Sequence, residues 1–208
     1  MDNPYFDPNE EVKVSTSGAL PHWNQYGKIQ YVTFRLADSL PQSKIAELTE
    51  LKNRFISNHP KPWDKQDKYA YWKLIGPVES KLLDAGYGLC ILKIPEIRGI
   101  VSDTLRYNDG NKYRLIAYVI MPNHVHVLFE LFGNNSIESV MKSIKGYSSR
   151  KINELTGGSG SVWMKEYFDR IVRDASHLKS YIRYIINNPR FLQPGEYELW
   201  RSEEWVYE

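Results

Sequence analysis

Apolar residues recur along the chain at two different spacings, which predict strands interleaved with helices. Residues 29–35 (I-Q-Y-V-T-F-R) are rich in β-branched and aromatic side chains, which favours a strand. A helix is predicted next, because apolar residues follow at spacings of three and four: Ile45, Leu48, Leu51 and Phe55. Two apolar runs, 113–120 and 125–131, are joined by Met121-Pro122-Asn123 and predict a hairpin in the middle of a sheet.

The polar stretches around these runs predict further helices and one more strand. Residues 60–85 mix aromatic and charged side chains and are interpreted as one or two helices that form an insertion. Residues 87–94 are predicted to form a strand in which Cys90 is a buried thiol. Pro95 then opens a helix that reaches Tyr107, since a proline at the first helical position loses no hydrogen bond.

The second half of the chain carries recognisable helix boundaries. Ser136 is expected to cap a helix that runs to about Leu155 and ends at the glycine-rich residues 157–160. A last helix is predicted over roughly residues 176–187. Strands interleaved with helices, including at least one hairpin, indicate an α+β fold.

The domain boundaries follow from composition. Residues 1–27 are rich in Asn, Pro, Gly and Ser and are interpreted as an irregular leader. Residues 28–192 form the predicted domain, with the helical insertion around 60–85. Residues 193–208 are interpreted as an acidic C-terminal tail.

Composition excludes several classes of protein and hides an uneven charge distribution. Among 208 residues, 42% are hydrophobic and 25% are charged, which excludes a disordered or fibrous chain. The net charge is only +2, but residues 142–190 carry ten Lys or Arg against four Asp or Glu. Both ends are acidic, so they are expected to lie off the path of a bound polyanion or to shield it.

Location is predicted from the cysteine count and the terminal sequence. A single cysteine cannot form an intramolecular disulfide and is compatible with a reducing compartment. The first residues lack the basic start and apolar run of a signal peptide, and no apolar stretch approaches the ~20 residues of a membrane helix. The sequence therefore predicts a cytoplasmic protein without a membrane partner.

Candidate metal ligands lie in the second apolar run of the hairpin. His124 and His126 are two residues apart in a strand, so both imidazoles point to one face, while Val125, Val127 and Phe129 point to the other. Two imidazoles on one face can supply adjacent ligands to a divalent ion. The same spacing is equally compatible with two strand histidines that bind no ligand.

A nucleophile with a third ligand can be sought as a tyrosine followed four residues later by an amide or acid on one helix. Four of the 15 tyrosines have Asn or Gln at that position, and none has Asp or Glu: Tyr5, Tyr26, Tyr107 and Tyr184. Only Tyr184 with Asn188 falls in a predicted helix, in its last turn before Pro189. Alternatively, Tyr184 is an aromatic side chain of the core or of a groove, and Asn188 caps the end of the helix without binding a metal ion.

Four stretches together resemble the REP-associated tyrosine transposases, the single-tyrosine branch of the HUH endonuclease superfamily. They are A-Y-V-I-M-P-N-H-V-H at 117–126, Y-F-D-R-I-V-R-D at 167–174, Y-I-I-N-N-P at 184–189 and F-R-L-A-D-S-L-P at 34–41. The resemblance covers about residues 22–192. It implies a ferredoxin-like antiparallel sheet with flanking helices, the histidine pair on a central strand and the catalytic tyrosine on a C-terminal helix.

The resemblance also implies the chemistry of the site. His124 and His126 match the HUH histidines, Tyr184 matches the nucleophile, and Asn188 matches the polar metal ligand that follows it. The ion expected there is Mg²⁺ or Mn²⁺. The expected substrate is single-stranded DNA with a palindromic hairpin, cut through a 5′-phosphotyrosine intermediate, by a monomer or a homodimer.

A second tyrosine and several basic residues are candidates for DNA contact. Tyr147 competes as a nucleophile, but Lys151 four residues later would repel a metal ion, so Tyr147 is assigned to the DNA-contacting set. The residues of this predicted set lie in the basic region and are either positively charged or aromatic. They are Lys142, Lys145, Tyr147, Arg150, Lys151, Arg173 and Arg183.

Three functions are compatible with this sequence. The first is a metal-dependent single-stranded DNA endonuclease and strand transferase that uses Tyr184. The second is a catalytically inactive DNA-binding protein of the same fold, and the third is a metal-dependent phosphodiesterase that uses water. The intact His124, His126, Tyr184 and Asn188 favour the first.

Overall fold

The computed structural model describes residues 3–15 and 22–205. The chain divides into two compact units, one formed by residues 1–37 and 91–208 and the other by residues 38–90. The smaller unit contains helices α1 (Gln42–Asn58) and α2 (Lys65–Asp84). Residues 60–85 therefore hold one long helix rather than two, and it clusters with α1.

The larger unit contains a five-stranded antiparallel sheet in the order β6-β3-β5-β4-β7. A separate pair of short strands, β1 and β2, lies in the N-terminal region. The strands are β1 (Lys13–Ser15), β2 (His22–Asn24), β3 (Ile29–Arg35), β4 (Tyr113–Ile120), β5 (His124–Leu131), β6 (Phe168–Ile171) and β7 (Glu198–Arg201). The predicted central hairpin is β4 and β5.

Three helices of the larger unit flank the sheet: α3 (Pro95–Tyr107), α4 (Ile137–Thr156) and α5 (Ala175–Asn187). The apolar sides of α3 and α4 share one hydrophobic core with one face of the sheet, and α5 packs in a second core with the other face. The order β3-α3-β4-β5-α4-β6 with this sheet arrangement is the ferredoxin-like pattern. The predicted α+β fold is confirmed.

Local sequence explains both ends of α4, and β4 contains one irregularity. The hydroxyl of Ser136 accepts a hydrogen bond from the backbone N–H of Ser139, which caps the helix as predicted. Gly157 ends it with φ of 67°, a left-handed conformation that favours glycine. A bulge between Leu115 and Ala117 shifts the pairing of β4 with β5.

The strand predicted over residues 87–94 is wrong. Residues 91–93 form one turn of 3₁₀ helix, and Cys90 is only half-buried in a turn with φ of 52°. Gly88 has φ of 86°, and a Cβ there would lie 2.5 Å from the carbonyl oxygen of Asp38. These left-handed residues break the extended backbone that the apolar composition had suggested.

The interpretation of residues 1–27 as irregular needs correction. This region contributes β1 and β2, and the backbone N–H of Phe6 donates to the carbonyl of Val172 at 2.8 Å. The physical reason is that the edge strand β6 leaves room beside it, and β2 packs there through His22. Residues 1–2 and 16–21 of the predicted leader lie outside the described residues.

Part of the predicted acidic tail is also a strand of the main sheet. β7 pairs with β4, and Trp200 stacks on Tyr118 with ring centroids 5.7 Å apart. Glu198 accepts a hydrogen bond from the Tyr118 hydroxyl at 2.7 Å and lies 3.4 Å from Arg106. Its charge is therefore used within the fold. Residues 206–208 of the tail lie outside the described part of the chain.

A search for membrane spans covered the described residues. Within 3–15 and 22–205, no helix combines the length and the apolar character that crossing a membrane requires.

A buried ion pair joins β2 to the edge strand β6. The imidazole of His22 donates from Nδ1 to a carboxylate oxygen of Asp169, with side chains only 3% and 4% exposed. Burial opposes the charged imidazole, but the hydrogen bond and charge of Asp169, with the charges of Glu138 and Glu166, outweigh it. The pKa of His22 is therefore raised above 6.5.

This pair predicts a pH-dependent contribution to stability. Because the pKa of His22 is higher in the folded state than in the unfolded state, its contribution is complete below the unfolded value of 6.5 and is lost as pH rises through the folded value. In thermal melts, the parent should be more stable than His22→Gln just below pH 6.5, and the difference should shrink as pH rises above that value. A difference that grows with pH would contradict the assignment.

Candidate active site

The two histidines of the hairpin lie side by side on the sheet face covered by α5. His124 and His126 are 1% and 2% exposed, and they share this face with Leu128 of the α5 core. The alternate residues of β5 belong to the core under α3 and α4. The imidazole rings meet edge to face, with their Nε2 atoms 3.0 Å apart.

Hydrogen bonding and burial set the state of His124. Its Nδ1 lies 2.7 Å from Oδ1 of Asn123, which accepts, so Nδ1 carries the proton and Nε2 keeps its lone pair. Burial lowers the pKa of His124 to about 3. Burial and the neighbouring His124 lower the pKa of His126 well below 6.5. Both imidazoles are therefore neutral at pH 7, which is the form that binds metal ions.

His126 is held by two hydroxyls of β3. Its Nδ1 lies 2.8 Å from Oη of Tyr31 and 2.8 Å from Oγ1 of Thr33. Thr33 is the residue directly opposite His126 in the pairing of β3 with β5. On the other side of the ring, the amide Nδ2 of Asn188 donates to Nε2 of His126 at 3.4 Å. In the tautomer in which Nε2 accepts this hydrogen bond, Nδ1 carries the proton toward the two hydroxyls.

The final turn of α5 brings the tyrosine and the amide to the histidines. The ring of Tyr184 is 36% exposed and meets the ring of His126 edge-on, with centroids 5.2 Å apart. Asn188 keeps helical angles, φ of −58° and ψ of −45°, despite the proline that follows. The two side chains therefore share one helix face, four residues apart.

The donor set fits a divalent ion. When both rings carry their proton on Nδ1, the two Nε2 lone pairs face each other at 3.0 Å, and one cation between them could bind both. Adjacent ligands of an octahedral ion, each at ~2.0–2.1 Å, are about 3 Å apart, which matches this spacing. Oδ1 of Asn188 is buried without a hydrogen-bond partner and is the oxygen donor that such an ion would gain when the amide rotates.

Within the described ranges, 3–15 and 22–205, the histidine pair has no acid or further histidine placed as a third ligand. Among the residues that the structure describes, no group of three or more His, Cys, Asp or Glu side chains is arranged to hold a metal ion. Asn188 is therefore the residue that would complete the site with His124 and His126.

The predicted DNA-contacting residues do not form one surface. Lys142, Tyr147, Arg150 and Lys151 lie exposed on α4, the helix that covers the opposite face of the sheet from the histidines. Only two of the set lie on the α5 side, both exposed: Arg173 just before the helix and Arg183 within it.

Lys145 is half-buried, and its ammonium is hydrogen-bonded within the protein. Its ammonium donates to the carbonyls of Met164 and Lys165 at 2.7 and 2.6 Å. Burial lowers the pKa of Lys145 to about 8. The pattern of charge along the sequence predicts a phosphate contact here, and that stays a prediction; the sequence does not show that the ammonium is also used within the fold.

Sequence reasoning missed three groups that hold the histidines: Tyr31, Thr33 and Asn123. Tyr31 and Thr33 alternate along β3 and so share a face, which the sequence does suggest. The pairing register that brings them to His126 is not visible in the sequence. Asn123 lies in the stretch that carries the family resemblance, without an assigned role there.

A family model for proteins described as "Transposase IS200 like" matches residues 98–188. The chain resembles the IS200-like transposases. The matched range begins in α3 and ends at Asn188, so it contains His124, His126 and Tyr184 as well. The predicted resemblance to tyrosine transposases is confirmed, and the chain contains a transposase-like segment. No curated protein sequence matches the chain.

The chain also matches two solved structures at low sequence identity. One is a REP-associated tyrosine transposase bound to a REP hairpin, with 13% identity and a TM-score of 0.46 over 84% of this chain and 73% of that one. The other is a candidate transposase from Deinococcus radiodurans, with 14% identity and a TM-score of 0.33 over 79% of this chain and 92% of that one.

The donor set predicts that a divalent ion stabilises the folded protein. At Mn²⁺ concentrations of about 100 times Kd, binding should add ~2.7 kcal/mol of stability. A chain of this size should then melt roughly 5–10 °C higher. His124→Ala should abolish this shift, because it removes one nitrogen ligand, while Tyr184→Phe should keep it. An equal shift in the parent and in His124→Ala would place the ion elsewhere.

Proposed function

We propose that the protein is a metal-dependent single-stranded DNA endonuclease and strand transferase. The observation that carries the proposal is the convergence of Tyr184, Asn188, His124 and His126, from one helix and one strand, around a single point. The match to the IS200-like transposase family over residues 98–188 supports it.

The chemistry follows from the properties of these groups. When bound, Mg²⁺ or Mn²⁺ polarises a phosphodiester and orients it for in-line attack. Tyr184 Oη forms a bond to phosphorus and its proton passes to solvent, while the bond from phosphorus to the 3′-oxygen breaks and that oxygen takes up a proton from solvent. The products are a 5′-phosphotyrosine and a 3′-hydroxyl, and a hydroxyl can reverse the step and join strands without ATP.

The surroundings of Tyr184 suit a single strand. Arg183 is exposed beside it on α5. The turn after Asn188 presents Phe191, which is 84% exposed, with the Arg190 guanidinium 4.6 Å from the ring centroid. A cation beside an exposed ring is the arrangement on which unpaired bases stack and phosphates are neutralised. The DNA path proposed here therefore follows α5 rather than α4.

One assay separates the three functions. The protein is incubated with Mn²⁺ and hairpin-bearing single-stranded DNA, and the products are run on a denaturing gel. A covalent protein–DNA adduct supports the proposal. Tight binding without an adduct would instead indicate a catalytically inactive DNA-binding protein, and cleavage without an adduct would indicate a phosphodiesterase that uses water.

Two matched substitutions test the nucleophile. Tyr184→Phe removes only the attacking hydroxyl, so the adduct should fall to background while DNA affinity is retained. Tyr147→Phe makes the same change on α4 and should leave the adduct at the parental level. If the adduct is lost with Tyr147→Phe and kept with Tyr184→Phe, the assignment of the nucleophile is wrong.

A second pair of substitutions tests the DNA path. Arg183→Ala should weaken single-strand binding and reduce the slope of log K against log salt by about 0.7, the value for one lost phosphate contact. Lys151→Ala removes one charge from α4, where the ammonium pairs with Glu154, and should leave the slope unchanged. Equal effects of the two variants would reject a path along α5.

A further inference from the structure

Tyr31 contacts both halves of the candidate site. Its side chain is 5% exposed and points from β3 into the space between β5 and α5. The hydroxyl lies 2.8 Å from Nδ1 of His126, and the ring meets Tyr184 edge-on with centroids 6.3 Å apart. One side chain thus touches a candidate metal ligand and the candidate nucleophile.

The ring of Tyr31 also supports the helix that carries Tyr184. It stacks on Tyr181 with centroids 4.0 Å apart and an interplanar angle of 14°. Tyr181 lies three residues before Tyr184, so it is almost one helical turn away on α5. Such stacks add about 0.5–1.5 kcal/mol beyond the area they bury.

The hydroxyl of Tyr31 acts together with that of Thr33. Both reach Nδ1 of His126 at 2.8 Å, and Thr33 Oγ1 lies 3.2 Å from the Tyr31 hydroxyl. A hydroxyl oxygen at Nδ1 can accept the imidazole proton, which supports the tautomer that leaves the Nε2 lone pair free. With the proton at Nδ1, the lone pair of Nε2 faces His124 and Asn188.

We infer that Tyr31 is a positioning residue for both parts of the reaction. With Thr33, it holds His126 in the tautomer that offers Nε2 to a divalent ion. Through its ring, it holds α5 so that Tyr184 stays beside that ion. The inference rests on the proposed function, but the tests of metal affinity and of the His126 tautomer are measured separately from DNA cleavage.

The first test measures Mn²⁺ affinity of the full chain without DNA, from the electron paramagnetic resonance signal of free Mn²⁺. Tyr31→Phe and Thr33→Val each leave one hydroxyl on Nδ1 and should weaken affinity a few-fold. The double variant leaves none and should lose ~10–100-fold, the range for groups that orient a metal ligand. Tyr181→Phe is the matched control, because it removes a hydroxyl from the same stack that does not touch His126.

Affinity of the double variant within twofold of the parent would overturn the role of the hydroxyls. Thermal melts check that these variants, which preserve shape, remain folded. A second readout is the tautomer of His126 in the metal-free protein, from nitrogen-15 NMR. The parent should carry the proton at Nδ1, and the double variant should shift toward Nε2. An unchanged tautomer would also contradict the inference, whether or not Mn²⁺ binds.

The role of the ring is tested by the rate of adduct formation at saturating Mn²⁺. Tyr31→Phe keeps the stack, so saturating Mn²⁺ should bring its rate of adduct formation close to that of the parent. Tyr31→Leu removes the stack and should stay slower by roughly tenfold even when metal is saturating. Recovery of Tyr31→Leu to the parental rate would reject the bracing role. If the parent binds Mn²⁺ and forms no adduct, the proposed function fails while the metal-affinity and tautomer results still decide the hydroxyl role.

Discussion

The pairing of β3 with β5 is the constraint on which the candidate site depends. In the observed register Thr33 lies opposite His126, and Arg35 lies opposite His124. A slip by one residue would turn Tyr31 and Thr33 to the core under α3 and α4 and leave His126 without its two hydroxyl partners. Both faces of the sheet fix this register. Alternate side chains of β3 and β5 pack in the core under α3 and α4, and the side chains between them face α5.

The two cores have different characters, which explains why the chemistry lies on one side of the sheet. The core under α3 and α4 is almost wholly apolar and fixes the backbone of β5. On the side of α5, apolar packing gives way to a cluster of imidazole, hydroxyl and amide groups that contact one another, with Oδ1 of Asn188 left without a hydrogen-bond partner. A polar cluster on a rigid strand keeps its geometry, because the opposite face of the same strand cannot shift without opening a packed core.

Sequence predicts the parts of this site that depend on local periodicity. A spacing of two places His124 and His126 on one side of any strand, and a spacing of four places Tyr184 and Asn188 on one side of any helix. Tyr31 lies 95 residues from His126 in sequence, so their contact depends on a strand pairing that no local pattern encodes. For the same reason, the sequence does not show that the ammonium of Lys145 is also used within the fold.

The prediction of an acidic tail failed in a similar way. Charge composition drew attention to the glutamates of the last residues, while the short run Glu198–Arg201 also carries a leucine and a tryptophan suited to a sheet edge. Without β7, the backbone groups on one side of β4 would have no strand partner. A segment with strand propensity can pair with them, which is the property that matters here. The sequence shows both the charge and the strand propensity of this segment. It does not show that β4 has an open edge to which the segment can add.

The position of β7 has a mechanical consequence for α5. The chain enters this helix from β6 at one edge of the sheet and returns through β7 at the other edge. The helix is thus connected at each end to an edge strand of the same sheet, and it lies across the face that carries His124 and His126. Tyr184 is delivered to the histidines of its own chain, and exchange of the helix with a second copy would require an edge strand to detach first.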